Sequence, residues 1–196
     1  MKTMRLDPGP LWLLAAAGMT MALLAGCGAT PKESFYTLAS APPVESTAPA
    51  TMTVHVGPVA IPDTVDRTPM VIRKGPNQVE IEDFHRWAEP LKTAIPRALA
   101  ANLARELRGA RMSSGRLSNA AADYRVTLDV SRFESSFSEG ATLEAAWTVT
   151  PKTGASVNGR TLARVPAPSA DYSGVASAHS RALEQLAREV AAVISR

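Results

Sequence analysis

The chain's only thiol, Cys27, closes the run ALLAGC at the end of an apolar stretch near the start of the sequence. A cysteine sulfur is the readiest nucleophile among ordinary side chains, open to acylation, alkylation or metal binding. With a single cysteine there is no intrachain disulfide, so this sulfur acts alone. The other reactive types are thinly spread. His85 and Glu89 stand four apart, the spacing of two ligands on one helical face, but further donors do not accompany them. No HExxH, CxxC, G-x-S-x-G or GxxxxGK[ST] segment occurs. The zinc-hydrolase, dithiol, serine-hydrolase and phosphate-cradling geometries are therefore not encoded in their usual forms. The expectation is a protein that is not an enzyme, with no metal and no cofactor beyond what Cys27 carries, and with His85 in a structural role.

Composition sets the frame for that sulfur. The 196 residues carry a formal net charge of +3 with both signs mixed along the chain, which argues against a nucleic-acid partner. Lys2 and Arg5 precede residues 11–25, LWLLAAAGMTMALLA, which hold no charge. A basic start followed by an apolar run is the layout of an export signal, and this run is shorter than the roughly 20 residues that usually span a bilayer. Leu24-Ala25-Gly26-Cys27 then resembles the lipobox of bacterial lipoproteins. The resemblance implies diacylglycerol on the Cys27 sulfur, cleavage before it, and an acyl group such as palmitate on the new amine. Gly28, where retained lipoproteins often have Asp, implies the outer membrane by the same resemblance, with the body facing the periplasm. The organisation expected is a signal peptide over 1–26, a lipidated tether over 27–34 and one domain over 35–196. Eight backbone steps from Cys27 to Phe35 reach at most about 28 Å, so the body must stay close to its bilayer.

The elements that position these groups follow from periodicity. Phe35–Leu38 reads as a short strand, followed by a Pro/Ala/Ser/Thr-rich connection. Residues 51–61 alternate as a strand that Gly57-Pro58 should bend, 62–67 form a turn, and 70–81 form two extended pieces around Gly75-Pro76-Asn77. A helix is predicted from Phe84 to Leu107, with Leu91, Ile95, Leu99, Leu103 and Leu107 on one side; Pro90 falls in the first turn of its main part, and Pro96 should kink or split it. Residues 109–121 read as a polar connection. Residues 124–133 and 142–150 alternate as strands around a hairpin connection at 134–140. A turn at 151–159 leads to a third strand over 160–165, completing an antiparallel meander. Tyr172–Ser195 is the last helix. Strands, helix, three strands and helix make an α/β or α+β domain.

Five segments, FYTL (35–38), VGPVAIP (56–62), DRTPMVIR (66–73), FHRWAEPL (84–91) and VASAHSRALEQLAREVA (175–191), taken in that order with the lipobox, resemble the ABC-type transport auxiliary lipoproteins and their PqiC-like branch. The resemblance implies a compact three-layer-like α/β domain with a mixed or mainly antiparallel sheet and two long amphipathic helices. It implies membership of an intermembrane lipid transport system, with an MCE-domain periplasmic protein and inner-membrane transporter subunits as partners, any ATPase being another subunit. Ring-like homo-oligomers are implied as well. On this reading the chain docks or organises the assembly. The alternatives are an isolated periplasmic lipid-binding module and a cell-envelope assembly factor.

Candidate partner-binding residues are Arg86 and Glu89 in the FHRWAEPL block, with Asp66 and Arg67 in the preceding turn. Phe35, Tyr36, Phe84, Trp87 and Leu91 are the structural residues of the motifs, and Phe84, Trp87 and Leu91 are expected to share one buried helical face. Arg73 and Lys74 are too few to specify a headgroup site and serve to hydrate a hairpin tip.

Overall fold

The structure, a computed structural model, describes residues 31–39, 51–114 and 122–196, and Glu33–Arg196 form one compact unit. The expected signal peptide, Cys27 and the first residues of the expected tether lie outside the described residues, as do most of the connection after Leu38 and residues 115–121. In chain order the elements are β1 (Ser34–Tyr36), β2 (Met52–Ala60), β3 (Pro69–Gly75), β4 (Gln78–Trp87), α1 (Leu91–Glu106), β5 (Ala110–Ser114), β6 (Tyr124–Ser136), β7 (Gly140–Pro151), β8 (Val157–Val165) and α2 (Tyr172–Ile194).

Strand β6 is the spine of an eight-stranded mixed sheet. One side pairs antiparallel with β7 from Tyr124↔Pro151 to Ser136↔Gly140, and β7 pairs antiparallel with β8. This is the meander that the alternating pattern predicts. The other side of β6 is shared: β2 runs parallel to it from Tyr124 to Asp129, and β3 meets it at Ile72↔Ser135. Beyond them, β5 pairs parallel with β2, β4 antiparallel with β3, and β1 parallel with β4. The α/β class, the mixed sheet and the two helices are those expected.

Inward-facing Val126, Leu128, Val130 and Phe133 of β6 and Leu143, Ala145, Trp147 and Val149 of β7 meet Ile95, Leu99 and Leu103 of α1 and Leu183, Leu186 and Val190 of α2, all buried. Helix α1 lies over β2 and β5, α2 over β7 and β8, and the helices touch each other. Asp171 caps α2 by accepting from the Gly174 amide at 2.6 Å, one of the donors that a helix start leaves open. Gly159 sits beneath Trp147, whose ring would lie 2.1 Å from an added Cβ.

Four local expectations change. Phe84–Trp87 are the end of β4, not the start of a helix: Tyr36 and Trp87 are strand partners, and the Trp87 amide donates to Thr68 O at 2.7 Å. Backbone pairing on both sides fixes this segment as strand, and the helix begins only after Pro90, whose carbonyl accepts from Thr93 and Ala94. The spacing of Phe84, Trp87 and Leu91 therefore builds no common face. Helix α1 continues through Pro96 without splitting; the ring side of that residue is packed in the core, and only one intrahelical donor is lost. Residues 110–114 form an edge strand because β2 offers its backbone, although none of them is fully buried. Strand β8 starts at Val157, inside the expected turn, because Gly159 accommodates the Trp147 ring.

Several polar side chains are sunk in this core, Asn102 and His179 completely. His179 of α2 is fully buried, stacked on Phe133 with centroids 3.8 Å apart and met edge-on by Trp87 at 6.0 Å. Its Nε2 lies 2.9 Å from Ser135 Oγ, while Nδ1 has no hydrogen-bond partner among the described residues. Burial penalises the imidazolium and pushes the pKa down to about 3. The group is neutral when folded and takes a proton below about pH 6.5 only on unfolding. Stability from this site is thus complete above that pH and falls as acid is added, by up to about 1.4 kcal/mol per pH unit. Chemical denaturation between pH 7 and 5 is expected to show this slope, and His179→Leu to remove most of it; parallel pH profiles for the two proteins would contradict the assignment.

Candidate functional site

The candidate charges converge where β4 ends, the turn before β3 passes, and α1 begins. The turn is held by the Val65 and Asp66 amides donating to Pro62 O at 3.0 and 3.2 Å. Asp66 accepts from Lys92 Nζ at 2.5 Å, and this hydrogen bond, then the opposite charge, raises the lysine pKa. Arg86 donates to Glu33 at 3.1 Å and to Thr68 Oγ1 at 3.2 Å. Glu89 accepts from Arg97 Nε at 3.1 Å. Arg67 is exposed beside them. These pairs are solvent-facing, so they contribute little to stability and can be exchanged for charges on another molecule.

His85 does not join Glu89. It faces the opposite side of β4, where its Nδ1 is 2.9 Å from Tyr36 OH and its ring stacks on Tyr172 with centroids 3.6 Å apart. Phe137 meets Tyr172 edge-on at 5.0 Å, and Lys74 Nζ lies 5.5 Å from the Phe137 centroid. Partial burial, then a hydrogen bond to Glu82, raises the Tyr172 pKa well above its usual range. The sequence marks Tyr36 and His85 separately but does not show that a tyrosine at the start of α2 completes their stack. Among the described residues no three His, Cys, Asp or Glu side chains gather as a metal site.

A cleft of about 250 Å³ opens where β6 has lost β2 and not yet met β3. Pro62, Val65, Val71, Val79 and Phe133 give it an apolar lining, with Arg73 and Glu134 at its border. Arg73 is paired with Glu139, and Glu134 is held below the usual carboxylate range first by its hydrogen bond from Arg132. No sequence signal marks this cleft, because its walls come from a turn and three strands distant in the chain. Ion pairs, an aromatic stack and a small apolar cleft are groups suited to recognition.

The motif aromatics divide. Trp87 and Leu91 are buried, 4% and 1% exposed, whereas Phe35 and Phe84 are 60% and 42% exposed. Cys27 lies outside the described residues. Among those residues, no helix is long and apolar enough to cross a membrane.

The family model described as "ABC-type transport auxiliary lipoprotein component" matches residues 36–191. The chain belongs to this family. Membership makes it an auxiliary lipoprotein component of ABC-type transport, a membrane-anchored class. None of the curated proteins matches it. Among solved structures, it is similar to an uncharacterized protein at 19% identity and a TM-score of 0.69, over 83% of this chain and 99% of that one. It is also similar to protein XCC0632 from Xanthomonas campestris, of family DUF330, at 20% identity and a TM-score of 0.61, over 82% and 94% of the two chains. At these identities the shared property is the fold.

The contrast between neighbours in β4 is testable. Trp87→Ala removes a ring wedged against Phe133 and His179 and is expected to cost about 3–5 kcal/mol of stability. Arg86→Glu, on the solvent side, is expected to leave the melting temperature nearly unchanged. Equal melting temperatures for both variants would contradict this division of faces.

Proposed function

We propose that this auxiliary lipoprotein is held at the outer membrane, facing the periplasm, by acyl and diacylglycerol groups on Cys27, and that it docks or organises one end of an MCE-type intermembrane lipid transport system. Its partners on this reading are an MCE-domain periplasmic protein and, through it, the inner-membrane transporter subunits that supply nucleotide hydrolysis. The chain itself is noncatalytic. The observation that carries the proposal is the family match over 36–191, joined to a tether that reaches at most about 28 Å. A body so confined is placed to receive a conduit arriving from the other membrane.

Among the described residues, the two clefts along the sheet favour docking over carriage of lipid. The cleft at the β6 edge and a second beside Pro58, Leu128 and Ala146 measure about 250 and 280 Å³. Both fall below the roughly 300–1,000 Å³ of pockets that enclose drug-sized ligands, and a two-chain phospholipid needs more room still. The exchangeable charges Asp66, Arg67 and Glu89 offer a polar rim for a protein partner instead.

Periplasmic crosslinking of the native lipoprotein followed by mass spectrometry tests this. An MCE-domain subunit is expected among the products, and Glu89→Arg should lower its recovery about tenfold, the equivalent of roughly 1.4 kcal/mol. Stoichiometric phospholipid with no MCE subunit would support the lipid-binding module, and capture of cell-wall assembly proteins alone would support the assembly factor. Either result would overturn the docking role.

A further inference from the structure

The outer face of the β1–β4–β3 sheet bears an apolar stripe that the docking role leaves unused. Phe35 of β1 and Glu33 just before it share a side with Phe84 and Arg86 of β4, as the Arg86–Glu33 hydrogen bond at 3.1 Å shows. Tyr36, His85 and Trp87 turn the other way, into the aromatic stack and the core. Along β3, Met70 and Ile72 are buried, so Val71 and its partner Ile81 face outward, as does Val79 opposite Arg73. The register break between Pro69 and Met70 restores Phe84 to this same outer side after Ile81. Phe35, Val79, Ile81 and Phe84 are 60%, 55%, 45% and 42% exposed, four of the six exposed large hydrophobics among the described residues.

Position along the chain says what covers them. Phe35 is eight residues from Cys27, and the strand carrying it is the first element of the folded unit. The extended chain allows at most about 28 Å between that residue and an acylated Cys27. Contiguous apolar side chains on a surface mark an interaction site, and this one is tied by covalent geometry to a bilayer surface. Arg86 and Glu33, the charges set between the two phenylalanines, neutralise each other.

We propose that this stripe rests on the membrane that holds the anchor, with Phe35 and Phe84 inserted at the boundary between headgroups and acyl chains. The proposal rests on lipidation of Cys27. Acyl chains alone fix distance but leave the body free to swivel; side chains inserted beside the anchor fix its orientation. The domain then presents one defined side to the periplasm.

The test uses the full lipoprotein reconstituted into phosphatidylethanolamine–phosphatidylglycerol vesicles, with single cysteines introduced by Phe35→Cys, Phe84→Cys or Leu162→Cys. A thioether at Cys27 leaves the introduced thiol as the only one that reacts with an environment-sensitive fluorophore. Leu162, 44% exposed on β8, is the control. The expected result is flotation with the vesicles, and quenching by a nitroxide near the top of the acyl chain of at least about twofold at positions 35 and 84, with almost none at 162. Flotation with equal, weak quenching at all three positions would overturn the proposal and leave the anchor standing. Shielding at 84 without lipid quenching, together with disulfide-linked dimers of Phe84→Cys, would assign the stripe to a second copy and overturn it likewise. Failure to float, with Cys27 itself labelled, would remove the lipidation on which the proposal depends.

Discussion

Three residues of parallel pairing, Ser34–Tyr36 against His85–Trp87, organise the end of the molecule where the chain enters its fold. The pairing continues as the Ala88 amide donates to Tyr36 O at 2.8 Å. It holds the FHRW segment as strand up to the point where Pro90 and its carbonyl start α1. It also sorts side chains: Tyr36, His85 and Trp87 go inward, while Phe35, Phe84 and Arg86 go outward. So short a strand has few hydrogen bonds of its own. Its stability comes from the inward set, in which Tyr36 meets His85 and His85 stacks on Tyr172 of the last helix. The first and last elements of the domain are thereby tied together.

Behind that junction, the shared edge of β6 explains the rest of the architecture. A strand of thirteen residues is longer than either β2 or β3, so two strands, both parallel to it, can divide one side. The division leaves an unpaired interval and hence the cleft at Arg132 and Phe133. The other side of β6 is paired by β7 along its length except at a register shift beside Ser131, and the two helices close the inner face mainly with aliphatic side chains and alanines. Asn102 and His179 are the completely buried polar exceptions, and His179 is a neutral imidazole enclosed by Trp87 and Phe133. It links the core of α2 to the same β4 residue whose neighbour Arg86 faces the solvent.

Periodicity made β6, β7 and α2 legible, because each has one buried face long enough to repeat. The same reasoning misplaced Phe84–Trp87, where a spacing of three and four residues coincides with a strand carrying a register break. Local pattern cannot show that break, which exists only in relation to Pro69 and Met70. Strand β5 was invisible because an edge strand with no fully buried side chain has no apolar alternation to read. The parallel pairs of β1, β2 and β5 were invisible too, since their partners lie far apart in the chain. Of the candidate residues, Asp66, Arg67, Arg86 and Glu89 were named from two separate motifs, and the fold brings them to one end. The stack at Tyr172 and the exposure of Phe35 and Phe84 needed three dimensions.

The proposed place in the cell depends on one sulfur, and the mass of the mature chain measures its state most directly. Protein extracted from membranes is expected to begin at Cys27 and to weigh more than the bare polypeptide by a diacylglycerol and an amide-linked acyl chain. A chain that still carries Met1–Gly26 with a free thiol would contradict the account, since neither the docking role nor the membrane-facing stripe would have anything to fix it at a bilayer.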